Sequence, residues 1–381
     1  MLEPKTMILD NVREFYKQAY DLAPIEVSHR EFAVGDFENK ISQRHLSFKN
    51  GSELKNFLVS NAPMHVHYSQ AFYKYPDARP MERKELTGAE LVFDIDITDM
   101  NLPCQKVHGK NVVCPICLGT AKEEATKLVE DFLVPDFGFS KKEIEINFSG
   151  NRGYHIHVLS SEVFKLSVEA RKEITDYIAG KGLNFSEFFP TSKQRGVLLG
   201  PKLDDPGWGG RIARSFVKAL ENGPDALMQI GIEGRIARNL YKKRALVELG
   251  IKNGNWDMVY IKKKSDFWES IINKQVIMQS DLIDRNVTSG ITHTIRLPNT
   301  IHGDTGLVAK KVAFSELNRF DPMKECIAFD KGELKIKVSK SPSIEMKGMT
   351  FGPYENAETT VPIYVGIYLY LKGFAQIVDF N

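Results

Sequence analysis

Two carboxylates open the chemistry of this chain. Asp94 and Asp96 lie two residues apart in Leu91-Val-Phe-Asp-Ile-Asp-Ile97, a run whose grammar is that of an apolar strand. Side chains two apart on a strand share a face, so the two like charges stand side by side with little water to separate them. A divalent cation compensates such a pair economically, because carboxylate oxygens are the hard ligands that Mg²⁺ and Mn²⁺ prefer. Two ions held this way can activate an attacking hydroxyl and stabilise a leaving pyrophosphate. The competing reading, a strand end that simply faces solvent, fits less well with the apolar residues flanking the pair.

A second group is Ser149-Gly-Asn-Arg-Gly-Tyr-His-Ile-His157. Its glycines let backbone approach a ligand, Arg152 offers a planar fork matched to phosphate oxygens, and His155 adds a donor. His157 reads as a packed or hydrogen-bonded histidine. A third lies in His293-Thr-Ile-Arg-Leu-Pro-Asn-Thr-Ile-His-Gly-Asp-Thr-Gly306, where Arg296, His302 and Thr305 again suit a polyanion. Asp281 or Asp284, just upstream, is a candidate third carboxylate. The fourth group is Cys104-x₃-His108-x₅-Cys114-x₂-Cys117, three thiolates and an imidazole of the kind that closes a structural zinc site. His108 is the fourth candidate ligand, with a loop histidine of no metal role as the alternative. No thioredoxin-like pattern surrounds the Cys-x-x-Cys half, which argues against a redox role. Cys326 stands apart and reads as a core residue.

The elements that must position these groups follow from periodicity. Val12, Phe15, Tyr16 and Tyr20 lie on a helix, and Arg30–Val34 on a strand. Glu143–Phe148 and Tyr154–Leu159 alternate with period two around a glycine-bearing turn and predict a hairpin. Helical spacing predicts helices over Val168–Ile178, Ile212–Leu220, Ile236–Leu249 and Phe267–Ile277. Strands are expected again at His293–Leu297, Leu307–Ala309 and Leu334–Val338, with a closing apolar helix from Val361. The expected organisation is a catalytic core over 1–160 with a metal-binding insertion near 103–118, a mainly helical subdomain over 161–279, and the rest of the core over 280–381.

Composition bounds the remainder. The chain has 381 residues, 42% hydrophobic and 26% charged, with 51 Lys+Arg against 49 Asp+Glu for a formal +2. These values fit a globular protein with a sizeable core and fit neither a disordered nor a fibrous chain. The near-neutral balance excludes a bulk polycation. Residues 234–264, however, hold nine Lys/Arg against two acids, Glu248 and Asp257. That stripe is either a track for a nucleic-acid backbone or a solvated helix face. The longest apolar stretch, Val361–Leu371, is too short to span a bilayer, and the opening residues lack a secretory pattern. Four cysteines are too few and too clustered for a disulfide framework. The expectation is a soluble intracellular protein.

Taken together in this order, Phe93-Asp94-x-Asp96, Ser149-Gly150-x-Arg152-Gly153-x-His155 and Arg296-Leu-Pro298-x₃-His302-Gly303-x-Thr305-Gly306 resemble the small catalytic subunit of archaeal and eukaryotic DNA primase. Tyr68-Ser69, Tyr73, Pro76-Asp-Ala78, Met81, Lys84, Gly88-Ala89 and the C-terminal Tyr368-Leu-Tyr-Leu-Lys-Gly373 resemble the archaeal members, so the likeness runs along essentially the whole chain. Asn299-Thr300, Asp304 and Gly290 depart from it: many relatives have Gly-Ser and a basic or small residue at the first two places, and an acidic residue is expected at the third.

The resemblance implies an α/β (α+β) fold, a mixed-sheet primase-type core with a zinc-binding insertion and a helical subdomain. It implies that Asp94, Asp96 and Asp284 bind two Mg²⁺ or Mn²⁺ ions, with Asp284 preferred to Asp281. It assigns nucleotide binding to Ser149, Arg152, His155, Arg296 and His302, and one structural Zn²⁺ to the Cys/His cluster. The function implied is template-directed primer synthesis on single-stranded DNA from NTPs or dNTPs, beside a large subunit that carries an iron–sulfur cluster. Such a nucleotidyltransferase is cytoplasmic and nucleoid-associated, or nuclear in a eukaryote. The alternatives are a stand-alone primase-polymerase for lesion bypass or end joining, and a non-catalytic zinc-containing nucleic-acid binder.

Overall fold

A computed structural model describes residues 3–100, 102–184, 188–189, 198–257, 267–272 and 285–380. The architecture is α/β, with antiparallel sheets and helices, and the chain divides into two compact units. One comprises Met1–Thr126, Ser140–Lys172 and Asp284–Asn381; the other comprises Lys127–Phe139 and Glu173–Ile283.

The first unit carries the sheets. Strands Leu91–Asp96, Gly153–Val158, Ile144–Phe148 and Lys310–Val312 form one antiparallel sheet in that spatial order. Leu91, Val92, Phe93, Ile95, Tyr154, Ile156 and Val158 are fully buried, and a core side chain of this size contributes about 1.5–3 kcal/mol by leaving water. The expected hairpin is present, with Ile146 opposite Ile156 and Phe148 opposite Tyr154. A second antiparallel sheet runs Gln43–Leu46, Phe32–Gly35, His65–Ser69, Thr294–Arg296. Its register places His67 opposite Arg296. The N-terminal helix Pro4–Gln18 has proline in its first turn, where the missing N–H is harmless, and buries Met7, Ile8, Val12 and Tyr16.

The N-terminal helix ends before Tyr20, which is exposed, and three further elements differ from the sequence-based expectation. The single helix over Ile236–Leu249 is two, Gly234–Lys242 and Arg244–Lys252, meeting at Lys243. Three consecutive cations leave that turn no apolar side chain to bury, and the backbone leaves the helical region there. Leu307–Ala309 makes only isolated bridges, Ile301 to Val308 and Leu307 to Ile327, and the ladder begins at Lys310. Gly306, at φ +72°, bends the chain just before it. The apolar helix Ile363–Leu371 does form, yet it does not close the chain: Ala375–Phe380 follows and pairs with Glu333–Ser341.

The second unit is helical among its described residues. Gly207–Glu221 buries Trp208, Ile212, Phe216 and Leu220, and Phe216, Trp256 and Trp268 pack edge-on or tilted within 4.8–5.5 Å. The basic side chains Arg235, Arg238, Lys242, Lys243, Arg244 and Lys252 are exposed. Lys262, Lys263 and Lys264 of the stripe, and residues 273–277 of the helix expected over Phe267–Ile277, lie outside the described residues.

Candidate active site

The Leu91–Asp96 strand sets the carboxylates. Its register puts Asp94 opposite His155 and Asp96 opposite Gly153. Only glycine fits at 153, because a Cβ there would stand 1.9 Å from the Ile95 carbonyl oxygen. Asp94 Oδ1 lies 3.7 Å from His155 Nε2. Asp96 Oδ1 accepts from the Thr98 N–H at 2.8 Å and lies 3.8 Å from Arg152 Nε. The short helix Arg285–Ser289 packs against this strand, and Gln70 Nε2 donates to the Val287 and Gly290 carbonyls at that helix's end. Asp281 and Asp284 lie outside the described residues.

The 149–153 turn is knitted by Ser149, whose Oγ accepts from the Asn151 and Gly153 N–H groups at 3.3 and 3.2 Å. Those bonds leave the hydroxyl proton to be donated. Gly150 needs its left-handed φ of +83°, and a Cβ there would meet His302 at 2.8 Å. Thr305 Oγ1 donates to the Gly150 carbonyl at 2.6 Å, which ties the 302–306 loop onto the turn. Arg152 Nη1 donates to the Lys110 carbonyl at 2.8 Å, so the Cys/His segment holds one arm of that guanidinium.

Arg296, on the second sheet, donates through Nη2 to His65 Nδ1 at 2.9 Å. His302 packs edge-on to His65 with ring centroids 5.4 Å apart, and its Nδ1 accepts from the Asp304 N–H at 3.2 Å. The five expected nucleotide-binding residues and Asp94 and Asp96 therefore all sit within the first unit. His157 is buried and bonded to Glu90 at 2.8 Å, as its reading expected, and Glu90 also pairs with Arg30.

Burial sets the electrostatics. It lowers His155 to about 3 and His65 to about 4, and it takes His67 and His302 well below the ordinary imidazole value. The neighbouring Arg296 charge adds to each shift. Arg296 itself is lowered to about 10 by burial and keeps its charge at neutral pH. Among the described residues, buried Arg152 Nε, His155 Nδ1, Arg296 Nη1 and His67 Nδ1 have no hydrogen-bond partner. Buried polar atoms are nearly always satisfied, so these four, all within the first unit, are open to a polar ligand or to water. Sequence reading passed over His65 and His67, for which the alternation His65-Val-His67 was the one available signal.

Cys104, His108, Cys114 and Cys117 bring one ligand atom each to within 4.8 Å of one another. Cys104 and Cys117 Sγ are 3.4 Å apart, and Cys117 Sγ is 3.5 Å from His108 Nε2. These separations and soft donors fit a four-coordinate metal of the zinc type.

Paired hard carboxylates thus stand in the same unit as a turn and a loop that carry basic and imidazole groups, donors of the kinds that suit a divalent cation and an anion. The family model for the DNA primase small subunit matches residues 93–314. The DNA primase small subunit of Methanococcoides burtonii is 32% identical, over 98% of this chain and 99% of its own length. That of Methanothrix thermoacetophila is 33% identical over 98% of both chains. The Thermoplasma acidophilum protein is 32% identical over 97% of this chain and 99% of its own. The chain belongs to the DNA primase small subunit family. Among the described residues, no helix is long and apolar enough to cross a membrane.

Proposed function

We propose that this chain is the catalytic subunit of a primase that synthesises short primers on single-stranded DNA. The observation carrying this reading is the register that pairs Asp94 with His155 and Asp96 with Gly153, so that two carboxylates adjoin a turn with unsatisfied cationic and imidazole groups. A 3′-hydroxyl attacks the α-phosphate of an incoming NTP or dNTP, and pyrophosphate leaves. Asp94 and Asp96, with Asp284, would hold two Mg²⁺ or Mn²⁺ ions, which lower the hydroxyl's pKa and neutralise the leaving charge when bound. Asp284 is favoured over Asp281 because it directly precedes the helix that packs on the Asp94 strand. Ser149, Arg152, His155, Arg296 and His302 grip the triphosphate: the arginines neutralise it, and the imidazoles, held uncharged by burial, donate without adding charge.

The Cys104, His108, Cys114 and Cys117 cluster takes one structural Zn²⁺. The division of labour proposed is a core from 1–160 and 280–381 with a helical subdomain over 161–279. Exposed cations on the helices Gly234–Lys242 and Arg244–Lys252 offer a track for the template backbone. A large, iron–sulfur-bearing primase subunit is the expected partner, and the archaeal origin of the relatives quoted goes with a cytoplasmic, nucleoid-associated setting. The test is synthesis on unprimed single-stranded DNA by the purified chain, with and without a copurifying partner, comparing NTPs with dNTPs. Products from wild type and none from Asp94→Asn support the reading. Wild-type chain that makes no product even with its partner overturns it. Full activity with no stoichiometric partner would instead favour a stand-alone primase-polymerase.

A further inference from the structure

A second group of potential metal ligands lies in the first unit: His65, His302 and Asp304, whose ligand atoms all fall within 4.8 Å of one another. The hydrogen bonds behind the rings decide what this group binds. A guanidinium only donates, so His65 Nδ1, 2.9 Å from Arg296 Nη2, must accept. A backbone N–H only donates as well, so His302 Nδ1, 3.2 Å from the Asp304 nitrogen, must also accept. Burial keeps both rings neutral, and a neutral imidazole carries one proton. That proton is therefore on Nε2 in both. Two Nε2–H groups are donors toward an anion and have no lone pair to offer a cation.

The surroundings share that polarity. Lys40 Nζ is 3.5 Å from Asp304 Oδ2, and His65 Nε2 is 3.6 Å from Asp304 Oδ1. Lys372, at the end of the Ile363–Leu371 helix, bonds Asn151 Oδ1 at 3.2 Å and feels Arg152, Asp304 and Lys40 electrostatically. Asp304 is thus a carboxylate set among cations and N–H donors, in a loop fastened by Thr305 to the 149–153 turn.

We propose that His65, His302, Lys40 and Lys372 form a polyphosphate subsite, and that the Asp304 carboxylate competes with the ligand for it. The ligand class is the terminal phosphates of a nucleoside triphosphate or free pyrophosphate. This rests on the nucleotide-binding reading above and extends it by three residues and a built-in competitor. Swinging the Asp304 carboxylate away from His65 and Lys40 opens the donors, and the ligand's own negative charge drives the exchange.

The test is calorimetric titration of the full chain with inorganic tripolyphosphate in EDTA, so that no divalent ion bridges the ligand to Asp94 and Asp96. Wild type is expected to bind. Asp304→Asn, which keeps the shape, is expected to bind on the order of tenfold tighter, and Lys372→Gln and Lys40→Ala weaker by a similar factor. Lys40 is exposed, so its variant gives a readout even where the Lys372 variant folds poorly, and melting curves check each protein. Unchanged or weaker binding by Asp304→Asn overturns the proposal. So does Mn²⁺ binding by an Asp94→Asn/Asp96→Asn chain that Asp304→Asn then abolishes, since that would make the cluster a cation site. Primer synthesis separates the two readings: metal-free tripolyphosphate binding without synthesis overturns the polymerase function and leaves the subsite standing. Synthesis without any effect of Asp304→Asn on tripolyphosphate does the reverse.

Discussion

Two regions of this protein use histidine Nε2 as the contact atom, with opposite polarity. In the Cys/His cluster, His108 Nδ1 is 2.7 Å from the Gly109 carbonyl oxygen, which can only accept. A proton is therefore on Nδ1, and in the neutral ring Nε2 turns a lone pair toward Cys117 Sγ, as a metal ligand must. In the cradle around Asp304, His65 and His302 accept at Nδ1 and present Nε2–H. One carbonyl behind a ring prepares it for a cation; one guanidinium or amide behind it prepares it for an anion. The residue type is the same in both places, and the partner at the far nitrogen makes the difference.

The largest expected effect tests the boundary between cation and anion sites. Asp94→Asn or Asp96→Asn keeps the shape while removing one charge from the proposed ion pair site. Primer synthesis should nearly vanish. The metal-free melting temperature should hold or rise, because one of two neighbouring like charges is gone. Tripolyphosphate affinity in EDTA should persist, since its donors lie elsewhere. Near wild-type synthesis by either variant would remove the carboxylates from the mechanism. Asp284→Asn belongs beside them: an active Asp284 variant would move the third ligand to Asp281.

Next in size is the cation side. Cys114→Ser or Cys117→Ser should release zinc and lower the melting temperature markedly, because metal binding is there part of folding. The effect should reach the nucleotide site as well, through the Lys110 carbonyl that holds Arg152. Zinc content, melting temperature and the KM for nucleotide report the three parts separately. Unchanged stability with synthesis alone lost would mean that the cluster is catalytic.

These two regions were not equally legible from sequence. The Cys/His cluster spans fourteen residues, so spacing alone exposed it, and the Asp94/Asp96 pair was visible because strand alternation fixes its face. The hairpin around Gly150 was equally local. The cradle draws on Lys40, His65, His302, Asp304 and Lys372, with Arg296 behind His65, and what joins them is tertiary: the His67–Arg296 register, the Thr305–Gly150 bond and the helix Ile363–Leu371 that delivers Lys372. No periodicity encodes such meetings. Asp304 was noticed as a departure from relatives, but its neighbours, which give the departure meaning, were not readable. The final strand Ala375–Phe380 was missed because six residues after an apolar helix carry too little alternation to stand out, and the pairing with Glu333–Ser341 supplies the rest.

Acid should act on the anion side first. A fold that holds an imidazole's pKa below its unfolded value of about 6.5 keeps the full contribution above that value and loses stability as pH falls, because the unfolded chain takes up the proton first. For His65 the window runs from about 6.5 down to about 4, and for His155 down to about 3. At pH 5 each ring then costs about 2 kcal/mol relative to neutral pH. Bound tripolyphosphate should reduce the loss at His65, since an anion favours the charged ring. Melting temperatures between pH 7 and 5, for wild type and His65→Gln, check this; parallel curves for the two proteins would mean that His65 is not held neutral.

The smallest effect is the most direct attempt to turn one region into the other. Arg296→Met removes a guanidinium that the proposed function places on the triphosphate, so the KM for nucleotide should rise by about 1.5–3 kcal/mol in free-energy terms, with template affinity little changed. The same substitution removes the donor that fixes the His65 tautomer and the positive charge that helps to depress its neighbours. His65 is then free to carry its proton on Nδ1 and to turn a lone pair outward beside Asp304, as His108 does beside Cys117. The variant should therefore gain measurable Zn²⁺ or Mn²⁺ affinity at the His65–Asp304 pair and lose tripolyphosphate affinity in EDTA. The gain is expected to be weak, because His302 still accepts from the Asp304 N–H and contributes no lone pair. Titration of metal into Arg296→Met on an Asp94→Asn/Asp96→Asn background, with ring nitrogens followed by NMR, reads both the affinity and the tautomer. A His65 ring that keeps its proton on Nε2 without Arg296 would show that something other than the guanidinium sets its polarity, and the contrast with His108 would need another cause.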